Sequence, residues 1–274
     1  MNNVFYASSS VTSSSSSYIP SDSAYREDTI YLKQDENLKR EILDTIKEIR
    51  SDIWDENVYY ASSPEDVGKT GIREIAKRFG YNTKSEYVNA IKWNSELEKY
   101  AIQRAYENFL TDGSFYRTDG EDPEEAAIKI FGEDSREYNL WFRGDLTGQR
   151  AIYMWTVDKY EVLDNKSEYD LLLELKWDLS EDNKHLHNIL HPLVTQVGFA
   201  KVKNSKNGKT YGVMVDGHDL AGSQKVTGYV GNYKYYVGDP NAADLSKDTK
   251  DQLRLSIKQS EIQLQALENI LEKQ

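Results

Sequence analysis

Few residues in this chain can do chemistry, because it contains no cysteine and only four histidines. Three of the histidines, His185, His187 and His191, lie close together in the sequence. A thiolate nucleophile and a thiolate metal site are therefore excluded, and imidazole is left as the candidate base or metal ligand.

The spacing of these histidines decides which of them can act together. On a helix over His185–Leu190, His185 and His187 point about 200° apart and do not readily share one metal ion. His187 and His191 are four residues apart and form a candidate metal pair, provided that Pro192 leaves the helix intact through His191. The alternative is two surface or partly buried imidazoles at a helix end.

The fourth histidine, His218, stands in the segment Asp216-Gly217-His218-Asp219. Imidazole and carboxylate groups together could contribute to a calcium or zinc site. The segment is more typical of a turn that follows a β-strand.

Composition bounds the class of protein. The chain has 274 residues, of which 38% are hydrophobic and 29% charged, as is typical of a globular protein. Its net charge of −12 argues against general nucleic-acid binding, which needs a basic surface. We find no run of ~18 apolar residues that could span a membrane. Residues 1–20 lack the basic and apolar regions of a signal peptide, so a secreted protein of this sequence would be a fragment of a longer chain.

The elements that must position the histidines are predicted from periodicity and turn signals. Asn207-Gly208 is a hairpin signal between two β-rich runs. Helices that come first and a hairpin that comes late predict an α+β fold or a layered α/β/α sandwich. The predicted helices are Ser85–Leu110, Thr147–Tyr160, Tyr169–Leu179 and His185–Leu190. The segment Thr111–Glu125 is predicted to be a loop. The predicted strands are Gln196–Lys203, Thr210–Val215 and a pair within Lys225–Val237.

Both ends of the chain carry a heptad pattern on a strongly charged background. A seam so narrow needs a partner helix, so we predict an antiparallel coiled-coil stalk formed by residues 35–58 and 241–274, with a globular domain over 59–240. The alternative is that each helix packs on the globular body. The Ser-rich segment 1–34 is predicted to be disordered. The seam positions are Ile42, Ile46, Ile49 and Ile53 at one end and Leu253, Ile257, Ser260, Leu264, Leu267 and Leu271 at the other.

Five short segments resemble, in order, the motifs of CAP (SCP-like) domains. The resemblance implies the CAP-type α/β/α sandwich. The segments are Ile91–Leu97 with Ala101, Arg104 and Ala105; Ser114–Gly120; Tyr138–Leu140; Ala151 through Trp155 to Asp158; and His185–Pro192 with Val197–Ala200.

CAP domains place two histidines and two acidic residues around a cavity, and some bind a divalent metal there. By this resemblance the four positions fall on Phe115, Tyr138, Asp158 and His185, unless the backbone shifts by one and Glu137 replaces Tyr138. Only His185 and Asp158 can ligate, and a stable zinc site usually needs three or four protein ligands. We therefore expect no cofactor, with a divalent metal as the alternative.

A general base would need His185 oriented by Asp158, as the resemblance implies. The nucleophile would be Ser or Thr, and Ser114 and Ser180 stand nearest in sequence. The alternative is that His185 and Asp158 form a structural hydrogen-bonded pair.

The arrangement also resembles the surface exclusion proteins of Gram-positive bacteria, in which coiled coils hold a CAP head away from the cell. It implies an extracellular, wall-anchored protein active in surface exclusion or adhesion. The replaced site positions and the heptad helices favour a non-catalytic binding or display module for its head. Its partner would be a protein or a cell-surface polymer, and the stalk helices could form a homo-oligomer. The alternatives are a metal-assisted hydrolase or protease that uses His185 and Asp158, and a small-molecule or lipid carrier, which would need an apolar groove.

Overall fold

The computed structural model describes residues 25–114, 116–160, 163–175, 180 and 182–237. The helices are α1 (Glu36–Glu56), α2 (Ile72–Arg78), α3 (Lys84–Asn89), α4 (Ser95–Leu110), α5 (Pro123–Phe131), α6 (Gly148–Thr156), α7 (Glu168–Glu174) and α8 (Lys184–Leu190). The strands are β1 (Tyr25–Leu32), β2 (Lys92–Trp93), β3 (Glu137–Arg143), β4 (Gln196–Lys203), β5 (Lys209–Gly217) and β6 (Tyr229–Tyr236).

The main sheet has four strands in the order β2-β4-β5-β3. Only β2 runs parallel to its neighbour β4, while β4–β5 and β5–β3 are antiparallel. The predicted β4–β5 hairpin is present, and Gly208 adopts a φ of 73° in its turn, a conformation that favours glycine. On its other side β5 pairs with β3, in a register that places Tyr138 opposite Met214.

Helices cover both faces of this sheet. Because strand residues alternate between faces, Phe199 and Met214 join a core with α1, α6 and α8, whereas Ala200 and Val213 join a second core with α4. The predicted α+β class and its α/β/α layering are therefore both present.

Helix α1 belongs to the globular body, which corrects the prediction of a stalk helix over 35–58. Ile42, Ile46, Ile49 and Ile53 are each at most 7% exposed, and all four lie in the core that also contains α6 and α8. A narrow apolar seam satisfies a sheet-covering helix as well as a coiled coil, so the heptad spacing could not distinguish the two. The predicted partner segment 241–274 lies outside the described residues.

Part of the segment predicted to be disordered forms a strand. β1 pairs antiparallel with β6 along its whole length, from Tyr25 opposite Tyr236 to Leu32 opposite Tyr229. The strand pair expected within Lys225–Val237 is therefore a single strand whose partner comes from the other end of the chain. Residues 25–58 consequently belong to the globular unit, which the prediction began at residue 59.

The sequence-based prediction also omitted two elements and merged two others into one helix. α5 starts with Pro123 inside the predicted loop, and β3 was not predicted. The predicted helix Ser85–Leu110 is interrupted by β2, after which Asn94 accepts hydrogen bonds from the amides of Glu96 and Leu97 and starts α4.

In the described part of the chain, no helix combines the length and the hydropathy needed to cross a membrane.

Candidate functional site

His185 lies in the first turn of α8, and the far end of that helix is held by a buried arginine. Arg50 of α1 is fully buried, and its guanidinium donates to the carbonyl oxygen of Ile189 at 2.8 and 3.0 Å and to that of Val194 at 2.6 Å. Orphan carbonyls at a helix end need such donors, because leaving them unpaired in the interior is costly. Arg50 thus fixes the position of α8 relative to the core.

The carboxylate that contacts His185 is Glu168 at the start of α7, and not Asp158. Nδ1 of His185 lies 2.5 Å from Oε1 of Glu168, and Oε2 of Glu168 accepts a hydrogen bond from the amide of Leu186 at 2.8 Å. The side chain of Glu168 is 8% exposed and that of His185 26% exposed. Sequence reasoning missed Glu168, because no motif or spacing links it to His185.

Asp158 instead pairs with Arg150 of α6, whose Nη1 lies 2.9 Å from Oδ2. Burial raises the pKa of Asp158, and the positive charge of Arg150 opposes that shift. The expectation that Asp158 orients His185 is therefore not realised in this structure.

Tyr138, which by resemblance takes the position of a CAP glutamate, extends from β3 towards α8. Its ring centroid lies 5.4 Å from that of His185 and 5.8 Å from that of Trp155. Its hydroxyl donates to a carboxylate oxygen of Asp216 on β5. An aromatic ring thus stands where a carboxylate would face the imidazole.

Asp216 is fully buried behind Tyr138, and the sequence singled it out only as a neighbour of His218. Its Oδ1 accepts a hydrogen bond from the amide of Arg136 at 2.9 Å. Burial raises the pKa of Asp216 to about 7, although the hydrogen bond from Tyr138 favours the ionised form. The second carboxyl group near the site is therefore locked into the sheet and separated from His185 by the tyrosine.

Glu137 does not take the place of Tyr138. The preceding residue on a strand points to the opposite face, and Glu137 accepts a hydrogen bond from Nε of the buried Arg104 of α4 at 2.9 Å. The one-residue shift considered from the sequence is therefore excluded.

His187 is a core residue. Its ring stacks on that of Tyr60 with centroids 4.4 Å apart, its Nε2 lies 2.9 Å from the carbonyl oxygen of Ala61, and its Nδ1 lies 3.2 Å from the Tyr60 hydroxyl. Burial lowers its pKa to about 4, so the ring is neutral at physiological pH. Both ring nitrogens are already engaged within the fold.

His191 does not continue the face of His187, because α8 ends at Leu190 and His191 has an extended conformation with φ −61° and ψ 129°. Its Nδ1 accepts a hydrogen bond from the amide of Leu193 at 3.1 Å, and burial lowers its pKa to about 3. A His187–His191 metal pair would need the helix to continue through His191, and it does not.

His218 lies just past the end of β5, in the turn that was predicted there. Its Nε2 lies 2.7 Å from Oδ2 of Asp134 and its Nδ1 3.5 Å from Oδ2 of Asp219. Burial lowers the pKa of His218, but the hydrogen bonds to the two carboxylates outweigh it and raise the pKa overall. The contacts are those of a surface ion pair between two loops.

The remaining candidates contribute less. Phe115 lies outside the described residues. Ser180 donates its amide to Asn183 at 2.8 Å, and its hydroxyl has no hydrogen-bond partner within the described ranges, so no base activates it there.

A metal ion is not accommodated by the family positions that the structure describes. Where side chains are described, no three His, Asp or Glu residues converge as a metal-binding group. Tyr138 turns its hydroxyl to Asp216 and Asp158 pairs with Arg150, which leaves His185 and Glu168 as two donors already bound to each other. This donor set does not fit the three or four ligands of a zinc site.

Comparison with known proteins identifies the family. Residues 43–215, more than half of the chain, match the model of the CAP family, described as the cysteine-rich secretory protein family. No curated protein matches the chain. The absence of cysteine in this sequence means that its fold is held without the disulfides that the family's description suggests.

Two solved structures are remotely similar. The hookworm platelet inhibitor is 13% identical with a TM-score of 0.36, over 77% of this chain and 81% of that one. NaASP2 with Zn2+ is 12% identical with a TM-score of 0.33, over 78% of this chain and 94% of that one. The family assignment rests on the sequence match. That match spans the site residues discussed above, including Arg50 and Asp158. Asp216, His218 and Asp219 lie beyond its end. The chain belongs to the CAP family.

Proposed function

We propose that this chain is a non-catalytic binding or display module, exposed at the surface of a Gram-positive bacterium as part of a longer wall-anchored protein. Its partner would be a protein or a cell-surface polymer, in surface exclusion or adhesion. The observation that supports the proposal is the replacement of the acidic residue facing His185 by Tyr138, whose hydroxyl is bound to Asp216.

The reason is chemical. A phenol that donates to a buried carboxylate is neither a metal ligand nor a base at neutral pH, and burial raises the pKa of Tyr138 further above its ordinary value. Asp158, the other acidic position, is neutralised by Arg150. The charge that a CAP-type metal or acid–base site requires is therefore diverted into contacts that stabilise the fold.

The test compares the wild type with His185→Ala in binding to isolated Gram-positive cell walls and intact cells. We expect the affinity of the variant to be unchanged and its unfolding free energy to fall by about 1–2 kcal/mol, because a partly buried hydrogen bond to Glu168 is lost. Loss of binding with an unchanged Tm would contradict the proposal.

A second candidate function is a hydrolase or protease centred on His185. It is favoured by the 2.5 Å contact between His185 and Glu168, since a general base needs an oriented imidazole. A metal-assisted site on His185 would need two further polar groups close to the imidazole, and Glu168 is one such group. Peptide-library cleavage that disappears in both His185→Ala and Glu168→Gln, but not in Asp158→Asn, would establish this function in place of the first.

A further inference from the structure

Glu168 contacts α8 at two points. One carboxylate oxygen lies 2.5 Å from Nδ1 of His185, and the other accepts from the amide of Leu186 at 2.8 Å. The residue at the N-cap position of α8, Asn183, makes no side-chain capping bond. Glu168 therefore supplies from α7 the acceptor that a local cap would have supplied.

This geometry restricts the imidazole. An ionised carboxylate only accepts hydrogen bonds, and the amide of Leu186 already donates to Oε2. The contact at Oε1 must therefore be made by a proton on Nδ1. We propose that Glu168 is a positioning residue that fixes the neutral tautomer of His185, with the proton on Nδ1 and Nε2 left as the acceptor.

The rings around His185 support this role. Tyr138 and Trp155 lie with their centroids 5.4 and 6.5 Å from the imidazole, and the Trp155 plane is inclined to it by 26°. These contacts restrict the rotation that would exchange the two nitrogens, while Glu168 selects which nitrogen carries the proton. Orientation of an imidazole through its second nitrogen is the ordinary way in which proteins set its tautomer.

The consequence is a defined ligand chemistry at Nε2. His185 is 26% exposed, and within the described residues Nε2 has no hydrogen-bond partner. In contrast, both ring nitrogens of His187 and both ring nitrogens of His218 already have hydrogen-bonding partners within the fold. The Nε2 atom of His185 is thus presented as an acceptor for a hydroxyl or N–H donor of a ligand, whichever of the two candidate functions holds.

The tautomer can be measured directly from the ring ¹⁵N resonances of the intact protein, recorded at a pH at which His185 is neutral. We expect the wild type to show a protonated Nδ1 and an unprotonated Nε2. In Glu168→Ala the ratio of this tautomer to the other should fall by roughly 10- to 100-fold, because a charge-assisted hydrogen bond is lost. Asp158→Ala, which removes the carboxylate that the family motif points to, should leave the ratio unchanged.

A wild type with its proton on Nε2 would overturn the proposal, and so would a ratio that responds to Asp158→Ala but not to Glu168→Ala. The wild-type spectrum decides the first point even if Glu168→Ala fails to fold. Glu168→Asp then serves as the second variant, because a carboxylate shorter by one methylene cannot reach both donors. Unaltered resonances of the Leu186 amide and of the His185 ring in this variant would also overturn the proposal.

Discussion

Replacing the buried Asp216 with asparagine is expected to stabilise the protein at neutral and alkaline pH and to have little effect near pH 4. The wild-type carboxyl group must ionise inside the protein, where burial raises its pKa to about 7. Asparagine has nearly the same shape but no charge. Its oxygen can accept from the amide of Arg136, and its NH₂ group can donate to the hydroxyl of Tyr138.

The size of the effect follows from the shift. The pKa of Asp216 rises from 3.8 to about 7 on folding, and each unit corresponds to about 1.4 kcal/mol, which gives a ceiling of about 4 kcal/mol. A carboxyl group whose folded pKa is raised contributes stability that is fully present below its unfolded pKa. That contribution is lost as pH rises through the folded pKa. The advantage of Asp216→Asn should therefore grow between about pH 4 and 7 and level off above.

The assay is urea unfolding of the wild type and the variant at about pH 4, 6 and 8, with the difference in unfolding free energy plotted against pH. Asp219→Asn is the matched control, because its side chain is 95% exposed and the same substitution there should change stability little. A variant that is no more stable than the wild type at the highest pH, or a difference that is independent of pH, would refute the reasoning.

Three further outcomes are expected, each measured by urea or thermal unfolding. Ile46→Ala should lower the free energy of unfolding by about 2–5 kcal/mol, because α1 covers the core. Asp44→Ala, on the exposed face of α1, should change it by no more than about 0.5 kcal/mol. Equal effects of the two substitutions would restore the stalk interpretation. Arg50→Met should cost about 3 kcal/mol, since it leaves the carbonyl of Ile189 and its neighbours unpaired, and an unaltered Tm would show that water replaces the guanidinium. The contribution of His187 to stability should fall by up to ~3 kcal/mol as pH drops from 6.5 to about 4, because the ring is buried in its neutral form. The difference in unfolding free energy between the wild type and His187→Gln should change by that amount over this range.

The sequence predicted those parts of the fold that local chemistry specifies. Asn207-Gly208 placed the β4–β5 hairpin, because its turn needs a residue with positive φ, which Gly208 supplies. The order of short motifs identified the CAP family, and the same motifs located Tyr138 and His185, which the structure brings together at 5.4 Å. The loss of two acidic or histidine positions was also evident from residue identity alone.

The partner of His185 could not be predicted in this way. Glu168 and Asp158 are both acidic residues upstream of the histidine, and the motif pointed to Asp158. Which one reaches the imidazole depends on how α7 is packed against α8, and that packing is set by buried contacts between residues far apart in the chain. Arg50 is another example, since its acceptor Ile189 lies 139 residues further along the chain.

The sequence by itself thus determined the family, the layered class and the identity of the residues at the family's positions. Only the tertiary structure decided that the isoleucine seam of α1 faces the core, that β1 pairs with β6, and that Glu168 holds His185. The physical reason is common to all three. Periodicity indicates which face of an element is apolar, and residue type indicates which side chain can accept a proton. Long-range packing determines which group covers that face and which group donates that proton.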